Sequence, residues 1–189
     1  MDEYATTIKT KEKMKNPLHL IIDGSDNLGK TTIINLLSRK LDLPVIKMTN
    51  MGEYIKDGDA EKYSRLYNET IVQFSEFNFI MDRGFTSSLV YSEVFARTDD
   101  LSYIKNIEQK LKPIVFILTG RTNLINDYHK GIRYTSFSSD PIYQIEEKQE
   151  IDESFCKLSE EKRYHIVEVF GKSPLEICNE IIEQLNEQL

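Results

Sequence analysis

A segment near the start of the chain has the residue types and spacing of a phosphate-binding loop. Residues 23–32 read DGSDNLGKTT and fit the pattern G-x-x-x-x-G-K-[ST], with Gly24, Gly29, Lys30 and Thr31 at the fixed positions. The glycines allow successive backbone N–H groups to point at a phosphate, and a following helix adds the positive end of its dipole. Lys30 can reach the β- and γ-phosphates, and Thr31 can ligate Mg²⁺. The segment predicts binding of a nucleoside triphosphate and, by itself, no particular reaction.

A second segment whose residue types could bind a ligand follows the third apolar run, where residues 82–91 read DRGFTSSLVY. In an open parallel sheet, ligands bind outside the carboxyl ends of the strands. Asp82 is therefore expected near the phosphate-binding loop if the first and third strands lie side by side. A carboxylate there can hold Mg²⁺, and the planar guanidinium of Arg83 can clamp a second phosphate. The alternative interpretations are a helix cap for Asp82 and a surface ion pair for Arg83.

Short apolar runs separated by helical patterns must position both segments. The predicted strands cover residues 18–23, 44–48, 78–82, 114–119 and 165–169, and the predicted helices cover 31–41, 59–74, 87–96, 101–112 and 173 to the C-terminus. Apolar runs without alternation are typical of strands that are buried on both faces. The fold class predicted is α/β, with a five-stranded, mostly parallel sheet flanked by helices.

Composition excludes several classes of protein. The 189 residues carry a net charge of −7, and 40% of them are hydrophobic, which suits one globular domain. The longest apolar runs, such as residues 114–118, are far shorter than the ~20 residues of a membrane helix. The acidic balance argues against polymeric nucleic acid as a partner. Two cysteines favour a reducing compartment, so we expect a cytoplasmic protein, in the host cytoplasm if it is viral.

The two segments together resemble the thymidylate kinase family of nucleoside monophosphate kinases. That family has a phosphate-binding loop of the form EG-x-[DE]-x-x-G-K-[ST] and a later D-R-[YH]-x-x-S-x-x-A-[YF] element. The resemblance covers most of the chain from Leu18 onward and implies a P-loop kinase domain at residues 17–189, with a short lid at about 126–142. It also implies ATP and Mg²⁺ as cofactors. Residues 1–16 lack apolar periodicity and are predicted to be a flexible arm.

The resemblance implies roles for the residues that match the family's motifs. Lys30 and Thr31 would hold the ATP phosphates and the metal, and Asp82 would lie near the metal and the acceptor phosphate. Arg83 would bind the acceptor phosphate. The expected catalytic residues are Lys30, Asp82, Arg83 and Arg133, and the expected metal ligands are Thr31 and Asp82.

The acceptor side of the resemblance is less complete. Asp26 matches a residue that contacts the sugar, Ser87 one that approaches the base, and Tyr91 an aromatic residue that crowds the 2′ position. Without the family, Tyr91 would be interpreted as core packing of a helix. The family's base-reading Phe and Arg do not align, and Arg65 is the nearest candidate, so a phage- or virus-type kinase with altered base choice fits equally well. The predicted substrate-binding residues are Asp23, Asp26, Arg65, Arg83, Ser87 and Tyr91.

Positive charge for phosphoryl transfer must come partly from outside the loop. Some family members have an arginine in the loop, where this chain has the neutral Asn27. Arg121, Lys130 and Arg133 flank the Ser- and Gly-rich stretch 131–141. We expect Arg133 to close the lid, whereas Arg121 could also stack near adenine. The predicted ATP-binding residues are Gly24, Ser25, Asp26, Asn27, Leu28, Gly29, Lys30, Thr31, Thr32 and Arg121.

Three weaker features complete the sequence interpretation. The loop at residues 170–174 matches the family's adenine-side loop. The acidic run 146–153, which contains Lys148, is predicted to be a solvated helix face. The final helix suits a covering role or a homodimer contact.

The sequence favours transfer of the ATP γ-phosphate to a deoxynucleoside monophosphate, such as dTMP, to give the diphosphate. No general base is needed, because a monophosphate oxygen is already ionised at neutral pH. The alternative is a deoxynucleoside kinase, or a kinase acting on a hydroxyl of modified nucleic acid, with Asp23 or Asp82 as the base. A third hypothesis is a regulatory module that binds the triphosphate without transfer. The expected partners are ATP and a deoxynucleoside monophosphate, with a homodimer as a further possibility.

Overall fold

Five parallel strands form the centre of the molecule in the computed structural model, which describes residues 16–47, 59–98, 100–120 and 141–189. The strands are β1 (His19–Gly24), β2 (Val45–Lys47), β3 (Phe79–Asp82), β4 (Ile114–Thr119) and β5 (His165–Glu168). They are ordered β2-β3-β1-β4-β5, and each neighbouring pair is parallel. The predicted fold class is confirmed.

Six helices flank the sheet in the part of the chain that the structure describes. They are α1 (Lys30–Leu41), α2 (Asp59–Ile71), α3 (Phe85–Val94), α4 (Tyr103–Leu111), α5 (Pro141–Lys162) and α6 (Pro174–Gln188), and a 3₁₀ turn at Val72–Phe74 follows α2. The last helix begins with a capping box between Ser173 and Glu176 and has Pro174 in its first turn. None of the described helices has both the length and the apolar character needed to cross a membrane.

The sheet separates two apolar layers. Leu20 and Ile22 of β1 pack with α1 and α6, whereas Ile21, between them, packs with α2, α3, α4 and α5. Side chains along a strand alternate between the two faces. Because both faces are covered, the strand sequences are apolar throughout, which explains why they show no alternation.

The strand order determines where the loop after β1 lies. β1 lies between β3 and β4, with Ile22 in register with Asp82 and Gly24 in register with Leu118. The loop after β1 therefore emerges beside the carboxyl ends of both neighbours, where parallel sheets bind their ligands. The expected adjacency of β1 and β3 is confirmed.

Candidate active site

The loop that connects β1 to α1 depends on Gly24. Its φ is 131°, and a Cβ built there would lie 2.2 Å from the carbonyl oxygen of Leu118 in β4. Only glycine allows this approach of two backbones. Asn27 in the same loop also has a positive φ, 62°, which asparagine tolerates better than most residues. The backbone thus follows the curled path that the sequence pattern predicts.

Lys30, the first residue of α1, folds back onto this loop. Its side chain is buried, and Nζ donates hydrogen bonds to the carbonyl oxygens of Gly24, at 2.9 Å, and Ser25. Burial, helped by the nearby positive charges of Arg83 and Lys148, lowers the pKa of Lys30 to about 8. Both of these acceptors are neutral carbonyl oxygens, and a bound phosphate would offer the ammonium group an anionic one.

A hydroxyl and a carboxylate meet in a corner between α1 and β3. Thr31 Oγ1 donates to Asp82 Oδ2 at 3.4 Å, so the structure brings the two expected metal ligands together. A hydroxyl and a carboxylate fit Mg²⁺, which completes its shell with water and substrate phosphates. The ammonium group of Lys47 lies 3.0 Å from the same carboxylate oxygen, which shows that this corner attracts a cation.

Sequence reasoning missed Lys47. The residue ends β2 and stands in register with Asp82 in β3. Nothing in the sequence marks it as special. Only the pairing of β2 with β3, which composition does not fix, brings it to the corner.

Arg83 links the loop to α3. Its guanidinium forms an ion pair with Asp26 of the loop and donates a hydrogen bond to Tyr91 Oη at 3.2 Å. The Arg83 backbone has a φ of 69°, in the left-handed region. Tyr91 also stacks on Phe95, with ring centroids 5.9 Å apart, so it has both a packing contact and a contact within the site.

Asp23 and Ser87 contact each other where β1 meets α3. The Asp23 carboxylate is fully buried and accepts hydrogen bonds from the backbone N–H groups of Gly24 and Gly84 and from the hydroxyls of Thr86 and Ser87. These bonds tie the end of β1 to the start of α3. In the structure the two predicted substrate residues therefore contact each other, and Asp23 fixes the turn that carries Arg83.

Arg65 lies apart from the other site residues. It forms ion pairs with Glu69 at 3.0 Å and Asp100 at 3.1 Å, and its guanidinium covers the Tyr103 ring. Tyr67 of α2 instead interacts with Asp82, and its pKa is raised by burial and by its neighbours Tyr63 and Asp82. Its hydroxyl is buried and has no hydrogen-bond partner among the residues that the structure describes.

The interpretation of residues 146–153 as a solvated face is wrong for the two buried charged residues of this run, Lys148 and Asp152. Lys148 and Asp152 of α5 are 5% and 1% exposed, although Glu146, Glu150 and Glu153 do face solvent. The buried positions 148, 151, 152 and 155 follow the spacing of one helix face, a pattern that the charged composition concealed.

These two buried side chains hold the phosphate-binding loop. Lys148 Nζ donates to Ser25 Oγ at 3.0 Å and to the carbonyl oxygen of Asp26 at 2.8 Å. Asp152 accepts hydrogen bonds from Ser25 Oγ and Thr119 Oγ1, both at 2.8 Å. Helix α5 is therefore part of the site.

A cavity of about 240 Å³ lies beside the loop. Its walls come from residues 27–29, from Lys148 and from the connection between β5 and α6, including Phe170. The predicted adenine-side loop at 170–174 thus borders an open space next to the phosphate site. Arg121, Lys130, Arg133 and most of the predicted lid, like the arm before residue 16, lie outside the described residues.

No protein-family model matches the chain. Among curated proteins, a probable thymidylate kinase of Methanocaldococcus jannaschii is 25% identical over 195 residues, which cover 91% of this chain and 97% of that protein. The chain is thymidylate kinase-like. This confirms the resemblance carried by the two sequence motifs.

Solved structures extend the likeness to the fold. YorR from Bacillus subtilis superposes with a TM-score of 0.65 at 21% identity and covers 90% of this chain and 96% of its own. Thymidylate kinase from Candida albicans gives 0.61 at 16% identity, with 92% of each chain covered. Deoxyadenosine kinase from M. mycoides gives 0.56 at 14% identity, over 90% of this chain and all of its own. The curated relative indicates a nucleotide kinase, and the solved structures share its fold.

Proposed function

We propose that the protein transfers the γ-phosphoryl group of ATP to a deoxynucleoside monophosphate. One observation carries this proposal: Arg83 is ion-paired to Asp26 of the loop that buries Lys30. The Arg83 guanidinium, which can bind one phosphate, therefore contacts a loop that can bind another. Two phosphate sites in contact are what transfer between two nucleotides requires.

The chain's own residues would act by positioning and charge. The loop N–H groups and Lys30 would bind the donor phosphates, while Arg83 would hold the acceptor phosphate so that one of its ionised oxygens faces the donor. Thr31 and Asp82 would hold Mg²⁺, which supplies neutralisation of phosphate charge when bound. Since the attacking oxygen carries no proton to remove, no side chain is needed as a general base.

The names of similar proteins support the substrate class and leave the base open. Thymidylate kinases occur among both the sequence relatives and the structural neighbours. YorR was crystallised with phosphorylated GDP, and the M. mycoides deoxyadenosine kinase with dCMP and dCDP. Since Arg65 is held by Glu69 and Asp100, we expect base choice to depend on other residues, such as Tyr67 of α2, which interacts with Asp82.

A deoxynucleoside kinase is the second candidate, favoured by the deoxyadenosine kinase neighbour. A hydroxyl acceptor needs an available carboxylate base. Asp23 is fully buried and its oxygens already accept four donors, so it suits that role poorly. Asp82 remains, but it faces Thr31 and Lys47. The monophosphate proposal is therefore preferred.

An ADP-release assay with a panel of deoxynucleosides and their monophosphates tests the proposal. We expect turnover with at least one monophosphate, and a loss of about 100-fold or more in kcat/KM for the Arg83→Gln variant. Arg39→Gln, at an exposed position near the end of α1, is the matched control and should retain activity. Faster phosphorylation of nucleosides would replace the proposal with the second candidate, and no turnover of any monophosphate would refute it.

A further inference from the structure

A buried carboxylate on α5 lies behind the phosphate-binding loop. Asp152 is 1% exposed, and its Oδ1 accepts a hydrogen bond from the hydroxyl of Ser25 at 2.8 Å. Its Oδ2 accepts one from the hydroxyl of Thr119, at the end of β4, also at 2.8 Å. Burial of a carboxylate is costly unless hydrogen bonds compensate for the lost water. The two hydroxyls therefore hold Asp152 in one orientation, and Asp152 holds both of them.

Ser25 is bonded through its side chain and its backbone. Its hydroxyl donates to Asp152 and accepts from Lys148 at 3.0 Å, and its carbonyl oxygen accepts from Lys30. A serine hydroxyl has a single proton to donate, so Asp152 determines the direction in which this one points. Consecutive Cα atoms are about 3.8 Å apart, so a fixed Ser25 also restricts where the next residue, Asp26, can lie.

Asp26 extends this constraint across the loop to Arg83. Its carboxylate forms an ion pair with one terminal nitrogen of the Arg83 guanidinium, and the other terminal nitrogen donates to Tyr91 Oη at 3.2 Å. An arginine side chain loses rotational freedom when it binds a ligand, and contacts that already hold it reduce this loss. Asp26 and Tyr91 thus place the guanidinium before an acceptor binds.

We propose that Asp152 is a positioning residue for the acceptor phosphate: it fixes Ser25 and, through Asp26, the guanidinium of Arg83. The inference rests on the acceptor side of the proposed function. In this series of contacts α5 reaches Arg83 by way of the loop. Thr119 shares the carboxylate but belongs to β4, so its hydrogen bond lies outside the series.

Nuclear magnetic resonance of the arginine side chains in the full chain, without nucleotide, tests the link. The Nε–H signal of Arg83 is assigned by its loss in Arg83→Gln. Ser25→Ala should shift this signal and speed the rotation of the guanidinium, because Asp26 is held less firmly. Thr119→Val is the matched control, since it removes a hydrogen bond of equal length to the same carboxylate and should leave the signal unchanged. Equal changes in both variants, or none in either, would overturn the proposal.

Calorimetric titration with dAMP, dCMP, dGMP and dTMP measures the consequence for the acceptor. Ser25→Ala should weaken binding of the tightest of these monophosphates by about three- to tenfold, the cost of ordering one long side chain. Thr119→Val should bind it as the unaltered protein does. A loss in Thr119→Val as large as that in Ser25→Ala would show a general loosening around Asp152, against the proposal.

A double-mutant cycle separates this route from a general loss of stability. In Arg83→Gln there is no guanidinium to position, so addition of Ser25→Ala should cause no further loss of monophosphate affinity. Losses that add in full would contradict the proposal.

Two substitutions of Asp152 separate its hydrogen bonds from its charge. Asp152→Asn keeps an acceptor oxygen for Ser25 and can donate its amide to the Thr119 oxygen, so monophosphate affinity should be retained. Asp152→Leu has a similar volume but no acceptor, and it should reproduce the loss seen in Ser25→Ala. If Asp152→Asn lost as much affinity as Asp152→Leu, the charge would matter rather than the bond to Ser25, against the proposal.

These measurements contain no ATP, so they are independent of phosphoryl transfer. Monophosphate affinity that depends on Ser25 and Asp152, in a protein that transfers no phosphoryl group, would refute the proposed function and leave the inference standing. Turnover of a monophosphate with an unchanged Arg83 signal in Ser25→Ala would do the reverse. If no monophosphate bound, the proposed function would fail, and the Arg83 signal would still decide whether Asp152 positions the guanidinium.

Discussion

The ammonium group of Lys47 lies 3.0 Å from Oδ2 of Asp82 and 3.4 Å from the hydroxyl oxygen of Thr31. These are the two oxygen atoms expected to hold Mg²⁺. A lysine and a metal ion that share a carboxylate compete, because each neutralises the charge that attracts the other. Lys47 therefore neutralises part of the negative charge of Asp82 at the position expected for the metal.

Removal of this lysine should strengthen metal binding. In Lys47→Met, we expect Mg²⁺ to bind the ADP complex up to about fivefold more tightly; the effect is modest because the Lys47 side chain is 57% exposed and exposed ion pairs are weak. Magnesium titration followed by calorimetry measures this. Lys40→Met, whose lysine bonds Asn179, is the control. Weaker metal binding in Lys47→Met would show that the lysine assists the metal rather than competing with it.

The titration of Lys30 predicts how donor binding depends on pH. Its pKa of about 8 means that the ammonium group is charged below pH 8 and loses its proton above it in the nucleotide-free protein. Phosphate favours the charged form, so ATP binding above pH 8 must take up a proton, and affinity should fall by up to about tenfold per pH unit. Calorimetry in buffers of different ionisation enthalpy measures the proton uptake. Affinity that stays constant to pH 9.5 would contradict the assignment.

The titration of Lys30 also makes the free energy of unfolding depend on pH. The unfolded chain holds the Lys30 proton up to its ordinary pKa of 10.5. Between about pH 8 and 10.5 the unfolded state therefore binds more protons than the folded state, and this group raises the free energy of unfolding as pH increases. Lys30→Met, which does not titrate, should lack this contribution. Urea unfolding at pH 7.5 and 9.5 in both proteins gives the comparison.

We expect Asp23 to contribute to the stability of the fold rather than to bind the substrate. Asp23→Asn replaces an acceptor oxygen by an amide donor among four hydrogen-bond donors. We expect a loss of about 2–4 kcal/mol in the free energy of unfolding, because buried donors are left without acceptors. Urea unfolding measures it, and exposed Glu150→Gln is the control. A normal unfolding midpoint with a raised KM would instead make Asp23 a substrate contact.

Alanine substitutions at two glycines with positive φ distinguish the cost of a steric clash from the cost of a left-handed backbone. Gly24→Ala places a Cβ against the Leu118 carbonyl, whereas a Cβ at Gly171, with φ 73°, meets nothing within 4 Å. Gly171→Ala should cost about 1–2 kcal/mol, the penalty for a left-handed alanine. Gly24→Ala should cost more than that and also abolish ATP binding. Equal urea midpoints for the two variants would contradict the close approach of β1 and β4.

The sequence predicts those parts of the site that depend only on residues close together in the chain. The strands and the loop at 23–32 follow from continuous apolar runs and from glycine spacing, and the structure has them where expected. Contacts between distant elements were not accessible in the same way. Lys47 reaches Asp82 only because β2 pairs with β3, and Lys148 reaches Ser25 only through the packing of α5 on α3 and β4. Arg65 was chosen by its distance along the chain, but its position on α2 turns it toward Asp100.

The left-handed backbone of Arg83 lowers the stability of the turn, although its side chain is expected to serve activity. A non-glycine residue with φ 69° stores about 1–3 kcal/mol of strain. Arg83→Gly would release that strain while it removes the guanidinium that pairs with Asp26. Selection of variants for heat resistance alone would therefore favour loss of this arginine wherever the strain outweighs its contacts with Asp26 and Tyr91. We expect that a chain which keeps arginine here accepts a less stable turn in return for the side chain.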